Sequence, residues 1–291
     1  MIISQLSGGL GNQLFQYAYG YSRALELGVE FKIDLSFYET YEWHTFSLNP
    51  FNISAKIANT EEISFIKSLD HRFQNKIMRK LNLVNPHCIN EKNLLFNPKY
   101  LSINKQSYVT GYWQSEKYFL DNLKNIFNEF SIKILPTKKN QELINDIISE
   151  KESVSLHIRR GNYVDIEHVN KIHGTVSLEY YELAINYFLK NVISPKFYIF
   201  SDDIRWAQKN LKLNKRVLFV DINDDLTDYE DLRLMSLCKN NIIANSTFSW
   251  WGAYLNSNAN KIVFAPKKWF ADSKKNFESK NIIPDNWKKI G

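Results

Sequence analysis

The sequence contains few cysteines and no long apolar run. Cys88 and Cys238 are the only cysteines in 291 residues, and they do not have the spacing of metal ligands. We therefore expect reduced thiols in a cytoplasmic protein, not a disulfide framework. No uninterrupted apolar stretch approaches the roughly 18 residues that a spanning helix needs. The N-terminal residues MIISQLSGGLGN are apolar over too few positions for a signal peptide, so we expect neither a membrane span nor secretion.

Common motifs of nucleotide sites are also missing. There is no G-x-x-x-x-G-K-[ST], which argues against a P-loop NTPase, and Leu14 stands where a G-x-G-x-x-G motif needs its third glycine. No two aspartates are spaced D-x-D, an arrangement with which many nucleotide-sugar enzymes hold Mg²⁺ or Mn²⁺. No His/Cys cluster suggests zinc. A diphosphate would therefore have to be bound by arginine and a helix N-terminus, which predicts a site without a metal.

Composition and charge narrow the class of partner. The chain is 44% hydrophobic and 23% charged, as a soluble protein with a large core should be. Its formal net charge is +6, its lysines are spread along the chain, and no nucleic-acid-binding module is recognisable, so we expect no nucleic-acid partner. A basic surface suits an anionic substrate or an anionic membrane face. A peripheral contact with an anionic membrane face is therefore an open alternative.

Short apolar strands alternate with helical patterns along the chain. IISQL (2–6), a glycine turn, a helical pattern and FKID (31–34) form a β–turn–α–β opening. Later strands are predicted at 108–114, 153–158, 196–200, 216–220, 241–245 and 261–266. Helices are predicted at 115–130, 136–153, 177–190, 203–211, 228–239 and 247–256. This α/β pattern predicts parallel sheets covered by helices on both faces. The length predicts two domains, 1–145 and 146–291.

HIRRGNY (157–163) places two arginines directly after a predicted buried strand. Parallel sheets bind ligands at the carboxyl ends of their strands, so this position is a candidate site. Side chains alternate along a strand, so His157 and Arg159 share a face while Arg160 points the other way. The guanidinium of Arg159 suits a phosphate because it binds bidentately and stays charged. Two structural salt bridges would explain the pair equally well.

Polar residues follow other strands as well. Ser201 or Asp202 could cap a helix, or Asp202 could accept hydrogen bonds from a ribose or a base. Ser246 and Thr247 open a helix behind a strand, where backbone N–H groups and the helix dipole favour an anion. Asp231 is interpreted as a surface charge. Trp250 and Trp251 are assigned to the core, and the glycosylation sequons at 52–54 and 245–247 are discounted.

The N-terminal glycine turn is a further candidate. Gly9 and Gly11 would allow a ligand to approach the backbone closely. Asn12 and Gln13 would present side-chain amides at the start of the following helix. A tight turn with a helix cap explains the same residues.

Together these segments resemble the bacterial α-1,2-fucosyltransferases of glycosyltransferase family 11. The matching segments are SGGLGNQLFQYA (7–18), GYWQSEKYF (111–119), HIRRGNY (157–163), FSDD (200–203) and NSTFSWWGAYL (245–255). The resemblance implies a GT-B-like fold, in which two Rossmann-like domains with parallel sheets face each other across a cleft. It implies inverting transfer of L-fucose from GDP-β-L-fucose to the 2-hydroxyl of a galactoside, without cofactor or metal. The acceptor would be a surface polysaccharide or a lipid-linked oligosaccharide.

The same resemblance assigns roles to individual residues. Arg159 would bind the β-phosphate, Asp202 would lie near the guanosine, and Asp231 near guanine or ribose. The diphosphate would also contact the helix start, namely Ser246, Thr247, Phe248 and Ser249. Gly9 and Gly11 would lie near the transferred sugar. The sequence does not name the catalytic base; His157 and His173 are candidates, and Asn12 would position the acceptor hydroxyl.

One position departs from the family. The family has the motif Arg-Arg-Gly-Asp, and in this chain the fourth position of that motif is Asn162. An amide cannot pair with Arg160 as an ion, and we expect this position to be structural. Two alternatives stay open: a GDP-sugar- or glycan-binding protein without catalysis, and a transferase with another GDP-sugar or linkage.

Overall fold

The computed structural model describes residues 1–41, 43–71, 86–161, 164, 166–213 and 216–291. Within these ranges the chain forms two compact units, Met1–Lys133 and Ile134–Gly291. No helix among the described residues combines the length and apolar character needed to cross a bilayer.

The first unit is built on a parallel sheet of five strands. They are β1 (Ile2–Gln5), β2 (Phe31–Asp34), β3 (Lys56–Ile57), β4 (Cys88–Asn90) and β5 (Ser107–Thr110). The spatial order is β3-β2-β1-β5-β4, and every neighbouring pair is parallel. The helices are α1 (Leu10–Leu27), α2 (Thr60–Leu69) and α3 (Leu123–Glu129). Short 3₁₀ turns occur at Ser36–Glu39, Pro98–Leu101, Glu116–Tyr118 and Leu120–Asn122.

The ends of α1 follow from its flanking glycines. Gly9 is the N-cap residue, and Gly28 ends the helix in the left-handed region at φ 63°, where glycine pays no Cβ penalty. The helix predicted over 115–130 is shorter than expected, because two 3₁₀ turns carry Tyr118 and Phe119 into the core before α3 begins. Ser115 precedes the first of these turns and makes no side-chain cap.

The second unit is built on a parallel sheet of six strands. They are β6 (Ser153–Ile158), β7 (Lys196–Ser201), β8 (Val217–Phe219), β9 (Asn240–Ile242), β10 (Val263–Pro266) and β11 (Lys288–Ile290). The helices are α4 (Lys138–Ser149), α5 (Glu167–His173), α6 (Leu178–Asn191), α7 (Ile204–Asn210), α8 (Asp228–Leu237), α9 (Thr247–Tyr254) and α10 (Ser273–Glu278). The order β11-β10-β9-β6-β7-β8 is that of the doubly wound dinucleotide-binding sheet, reversing between β6 and β9.

The units divide earlier than the predicted boundary at 145/146. Helix α4 belongs to the second unit because Leu143, Ile144 and Ile147 pack with Tyr198 and Phe200 of β7. The helix predicted over 136–153, within which we placed the domain boundary, therefore has a buried apolar face.

The predicted α/β class, with two Rossmann-like parallel sheets, is confirmed. All six residues of β6 are buried, as expected of a central strand in a parallel sheet. Trp250 and Trp251 are fully buried, so their assignment to the core is also confirmed. The three short strands β3, β4 and β11 were not predicted.

Candidate functional site

The reversal point of the second sheet brings two of the predicted segments together. Strands β6 and β9 are neighbours, with Leu156 opposite Ile242 in the register. Their connections leave in opposite directions, which opens a crevice at their carboxyl ends. Arg159 follows β6, and α9 begins after β9. The rings of His157 and Phe248, one from each segment, have centroids 5.6 Å apart.

Both arginines find acidic partners at the end of the adjacent strand β7. Nη1 of Arg159 lies 3.1 Å from Oδ2 of Asp202. The backbone N–H of Arg160 donates to Oδ1 of the same carboxylate at 2.8 Å. The Arg160 side chain lies 3.6 Å from Asp203 and stacks 3.9 Å above the Trp206 ring. Both arginines therefore form ion pairs within the protein, which was the alternative to a ligand site. The Arg160 side chain fixes the loop to α7 through Asp203 and Trp206.

The Arg159 side chain is partly exposed beside this pair. The contact with Asp202 is made through Nη1. The side chain of Arg159 retains 29% of its accessible surface. Asp202 therefore orients a cation that is still partly exposed at the carboxyl end of β6.

Two neighbouring residues explain how Asp202 reaches the loop. A Cβ added to Gly161 would lie 2.6 Å from Oδ2 of Asp202, so only glycine allows this approach. The N-cap of α7 is Asp203, whose Oδ1 accepts from the Trp206 N–H at 3.0 Å. We expected Ser201 or Asp202 in that role. Because Asp203 takes the cap, the carboxylate of Asp202 can bind the arginine loop.

Histidines near this edge are held in the neutral form. His157 is 5% exposed. Burial, followed by the charge of Arg159, lowers its pKa to about 3. Within the described residues Nδ1 of His157 has no hydrogen-bond partner. Burial, then Lys275 and Arg159, lowers the pKa of His173 to about 4.

Asn245 fixes the approach to α9. Its Nδ2 donates to the carbonyls of His173, Gly174 and Trp269 at 3.1, 3.2 and 3.1 Å. The residue is 3% exposed, which rules it out as a glycosylation acceptor in this fold. Ser246 has extended backbone and makes no side-chain capping bond. The hydroxyl of Ser249 donates back to the carbonyl of Ser246 at 3.3 Å.

Thr247 and Phe248 occupy the first turn of α9 and are partly exposed. The structure thus brings His157, Arg159, Asp202 and this helix start to one edge of the sheet.

Asp231 lies on α8 and is linked to a different set of residues. Its Oδ1 accepts from Asn223 at 2.6 Å, and Asn223 also exchanges amide hydrogen bonds with Asn140. Burial raises the pKa of Asp231 to about 6. The neighbouring Asp228 has a pKa raised to about 7, by burial and by the charge of Asp231. Asp231 is therefore a partly buried, hydrogen-bonded carboxylate and not the surface charge that its position alone suggested. Its place near guanine or ribose stays a prediction.

In the first unit, the predicted glycine turn follows β1. Gly8 has φ 71°, and its carbonyl accepts from the Tyr38 hydroxyl at 2.8 Å. Oδ1 of Asn12 accepts from Nε2 of Gln114 at 2.9 Å. Because β1 and β5 are neighbours in the sheet, this bond joins the GGLGNQ and GYWQ segments at the reversal point of the first sheet.

Other residues of this turn serve the protein itself. Gln13 is fully buried, and its Nε2 donates to the carbonyls of Gly8 and Thr45 at 2.9 Å each. Its Oε1 accepts from the Ser47 N–H at 2.9 Å. The amide that we expected to face a ligand therefore anchors the 45–47 segment. Gly11 is buried in the first turn of α1.

Sequence reasoning missed Glu91, which follows β4. Its Oε2 accepts from the N–H groups of Tyr112 and Trp113 at 2.7 and 2.9 Å. Trp113 has φ 54°, is fully buried, and stacks on Tyr19 with centroids 3.9 Å apart. Burial raises the pKa of Glu91 to about 7. A carboxylate that binds N–H groups 21 and 22 residues further along the chain leaves no pattern in the sequence. The positive φ of Trp113 leaves none either.

The predicted departure at Asn162 lies outside the described residues, as does Tyr163. The rest of the arginine motif, 157–161, is described.

Comparison with known proteins shows which family the chain belongs to. The sequence matches the family model described as Glycosyl transferase family 11 over residues 1–291. It is 35% identical to an α-1,2-colitosyltransferase of Escherichia coli, covering 100% of this chain and 99% of the relative. It is 36% identical to the O-antigen biosynthesis glycosyltransferase WbnK of Escherichia coli, covering 98% of each. A galactoside 2-α-L-fucosyltransferase SEC1 of Bos taurus is 31% identical over 35% of this chain and 28% of the relative.

Proposed function

The chain belongs to glycosyltransferase family 11, and we propose that it transfers L-fucose from GDP-β-L-fucose to the 2-hydroxyl of a galactoside, with inversion. The full-length similarity to WbnK supports a role in O-antigen synthesis. A lipid-linked or surface polysaccharide would then be the acceptor, reached by a peripheral contact with the inner membrane.

The observation that carries this proposal is the arrangement at the reversal point of the second sheet. Arg159 and the start of α9 follow two adjacent strands of a sheet with the dinucleotide-binding order. A guanidinium and a helix N-terminus are two groups that bind phosphate without a metal. We therefore assign the donor diphosphate to this crevice.

The proposed reaction breaks the bond between the anomeric carbon of fucose and the β-phosphate. Negative charge grows on the departing GDP as the bond lengthens. Arg159 is already oriented by Asp202, 3.1 Å away, so little reorganisation is needed when that charge develops. Preorganised donors of this kind typically contribute a factor of about 10²–10³ in rate.

Neither histidine is suited to take the proton of the acceptor hydroxyl. With a pKa of about 3, His157 stays neutral and holds a proton poorly at neutral pH. His173, at about 4, has the same limitation. We assign His157 to positioning at the β6 edge, and Asn12, anchored by Gln114, to the orientation of the acceptor hydroxyl.

Transfer of colitose is the second candidate. It is favoured by the 35% identity to an α-1,2-colitosyltransferase over the whole chain. Colitose is the 3-deoxy form of L-fucose, so the two donors differ by one hydroxyl. A site that hydrogen-bonds this hydroxyl discriminates strongly against the sugar that lacks it, whereas an apolar site discriminates weakly.

One assay tests both candidates. The full chain is mixed with a β-galactoside and either GDP-fucose or GDP-colitose, with and without EDTA, and GDP release and product linkage are measured. We expect an α-1,2-linked product with GDP-fucose that is insensitive to EDTA. A much higher kcat/KM with GDP-colitose would favour the second candidate. Loss of activity in EDTA would overturn the metal-free site, and GDP-sugar binding without turnover would indicate a binding protein.

A further inference from the structure

Partly exposed aromatic rings line the carboxyl edge of the first sheet. Tyr38, Tyr41, His44 and Tyr112 form what we call the aromatic rim. Tyr38 lies in the 3₁₀ turn after β2, and its hydroxyl donates to the carbonyl of Gly8 at 2.8 Å. The ring of His44 lies against the same loop, since a Cβ on Gly9 would be 3.3 Å from its Cε1. The rim therefore borders the turn that follows β1.

Contacts to α1 hold the segment that carries three of these rings. Gln13 bonds the carbonyl of Thr45 and the N–H of Ser47, both at 2.9 Å. The rings of Tyr41 and His44 are nearly parallel, 29° apart, with centroids 6.2 Å apart. Phe37 packs behind Tyr41 at 4.6 Å. These contacts hold the rings of Tyr41 and His44 in place before a ligand binds.

Tyr112 completes the rim from the opposite side, after β5. Its backbone N–H is held by Glu91, and the residue remains 46% exposed. Burial, followed by Tyr41 and Glu91, raises the pKa of Tyr112. The rim thus spans the carboxyl ends of β2, β1 and β5.

The chemistry of this edge fits a neutral sugar. A pyranose has an apolar C–H face that packs on aromatic rings and a polar edge that needs hydroxyl and amide partners. The rim supplies the rings, and the bonded pair Asn12 and Gln114 supplies amides at the same reversal point. Burial raises the pKa values of Tyr38 and Tyr112, which keeps both hydroxyls neutral.

We propose that the aromatic rim is the subsite for the acceptor glycan and that it stacks on a neutral pyranoside. This rests on the proposed function, because the reaction requires such an acceptor. Tyrosine is well suited to the task, since its rigid ring offers a large contact area at little cost in conformational entropy.

Tyr112→Ala tests the subsite, because it removes the ring but keeps the N–H that Glu91 binds. Phe65→Ala is the matched control, since Phe65 belongs to the same unit and is also 46% exposed. In steady-state kinetics we expect Tyr112→Ala to raise the acceptor KM about ten-fold. The donor KM should stay within about two-fold, and Tyr112→Phe should restore most of the loss. Equal effects on both KM values, or equal effects of the two alanine variants, would overturn the proposal.

A binding experiment separates the subsite from the reaction. Saturation-transfer NMR with methyl β-galactoside and GDP reports sugar contacts whether or not transfer occurs. We expect a signal with the unmodified chain and with Phe65→Ala, and its loss with Tyr112→Ala. No signal with the unmodified chain, or an unchanged signal with Tyr112→Ala, would overturn the subsite even if transfer is measured. Rim-dependent binding without transfer from any donor would reject the proposed reaction but leave the subsite standing.

Discussion

The carboxyl group of Glu91 should make the stability of the protein fall as the pH rises through neutrality. It accepts hydrogen bonds from the N–H groups of Tyr112 and Trp113, which favour the ionised form. Burial outweighs them and raises its pKa from 4.5 to about 7. The folded chain therefore binds this proton more tightly than the unfolded chain does.

The sign and size follow from linkage. Between pH 4.5 and 7 the folded state carries more of this proton than the unfolded state, so the free energy of unfolding decreases with pH in that window. The full difference corresponds to about 3 kcal/mol. Between pH 5 and 8 the loss should be about 2–3 kcal/mol.

Glu91→Gln removes this titration while keeping a carbonyl oxygen for the two N–H groups. We expect the change in unfolding free energy between pH 5 and 8, from urea titrations, to be smaller by about 2 kcal/mol in the variant. Glu61→Gln, an exposed position in the same unit, should leave the pH dependence unchanged. NMR of ¹³C-labelled glutamate carboxyls gives the direct check. A Glu91 midpoint below pH 5, or equal slopes in the two variants, would refute the reasoning.

Three further substitutions probe the second unit. In Gly161→Ala the added methyl group should push the Asp202 carboxylate away. We expect kcat/KM to fall about ten-fold or more while the circular dichroism spectrum is unchanged. Full activity would contradict the steric argument. Asp202→Asn should weaken the orientation of Arg159, and we expect a lower kcat with a smaller change in donor KM; unchanged kinetics would remove its positioning role. Asn245→Ala should cost about 2–4 kcal/mol of stability, because the carbonyls of His173, Gly174 and Trp269, the last of them buried, lose their shared donor. Asn191→Ala, which removes a single exposed bond, should cost less than about 1 kcal/mol in the same thermal melts; equal losses would contradict this account of Asn245.

The sequence predicted those strands that the pattern of their own apolar residues makes recognisable. The bounds of β2 and β6 match the sequence prediction, because apolar residues at alternate positions mark both strands. The strands β3, β4 and β11 have two or three residues each and lie at the edges of their sheets, where no apolar run is needed. Their positions depend on pairing with distant strands.

In the candidate site, too, local features could be predicted from the sequence and contacts between distant residues could not. The alternation along β6 predicted different surroundings for Arg159 and Arg160 from strand geometry alone, and the two side chains have different partners, Asp202 for the first and Asp203 with Trp206 for the second. The partner of Arg159 could not be inferred, because Asp202 reaches it only when β6 and β7 become neighbours in the sheet. Glu91 was missed for the same reason, as its bonds to Tyr112 and Trp113 depend on the pairing of β4 with β5.

The most direct test of the central claim is to measure transfer and GDP affinity in Arg159→Ala beside Arg205→Ala. Arg205 is an exposed arginine on the adjacent helix α7 and controls for the loss of one positive charge. We predict that Arg159→Ala lowers kcat/KM by about 10²–10³ and weakens GDP binding, with an unchanged fold by circular dichroism. Arg205→Ala should retain both. Undiminished turnover and GDP affinity in Arg159→Ala would contradict the assignment of the diphosphate to this crevice.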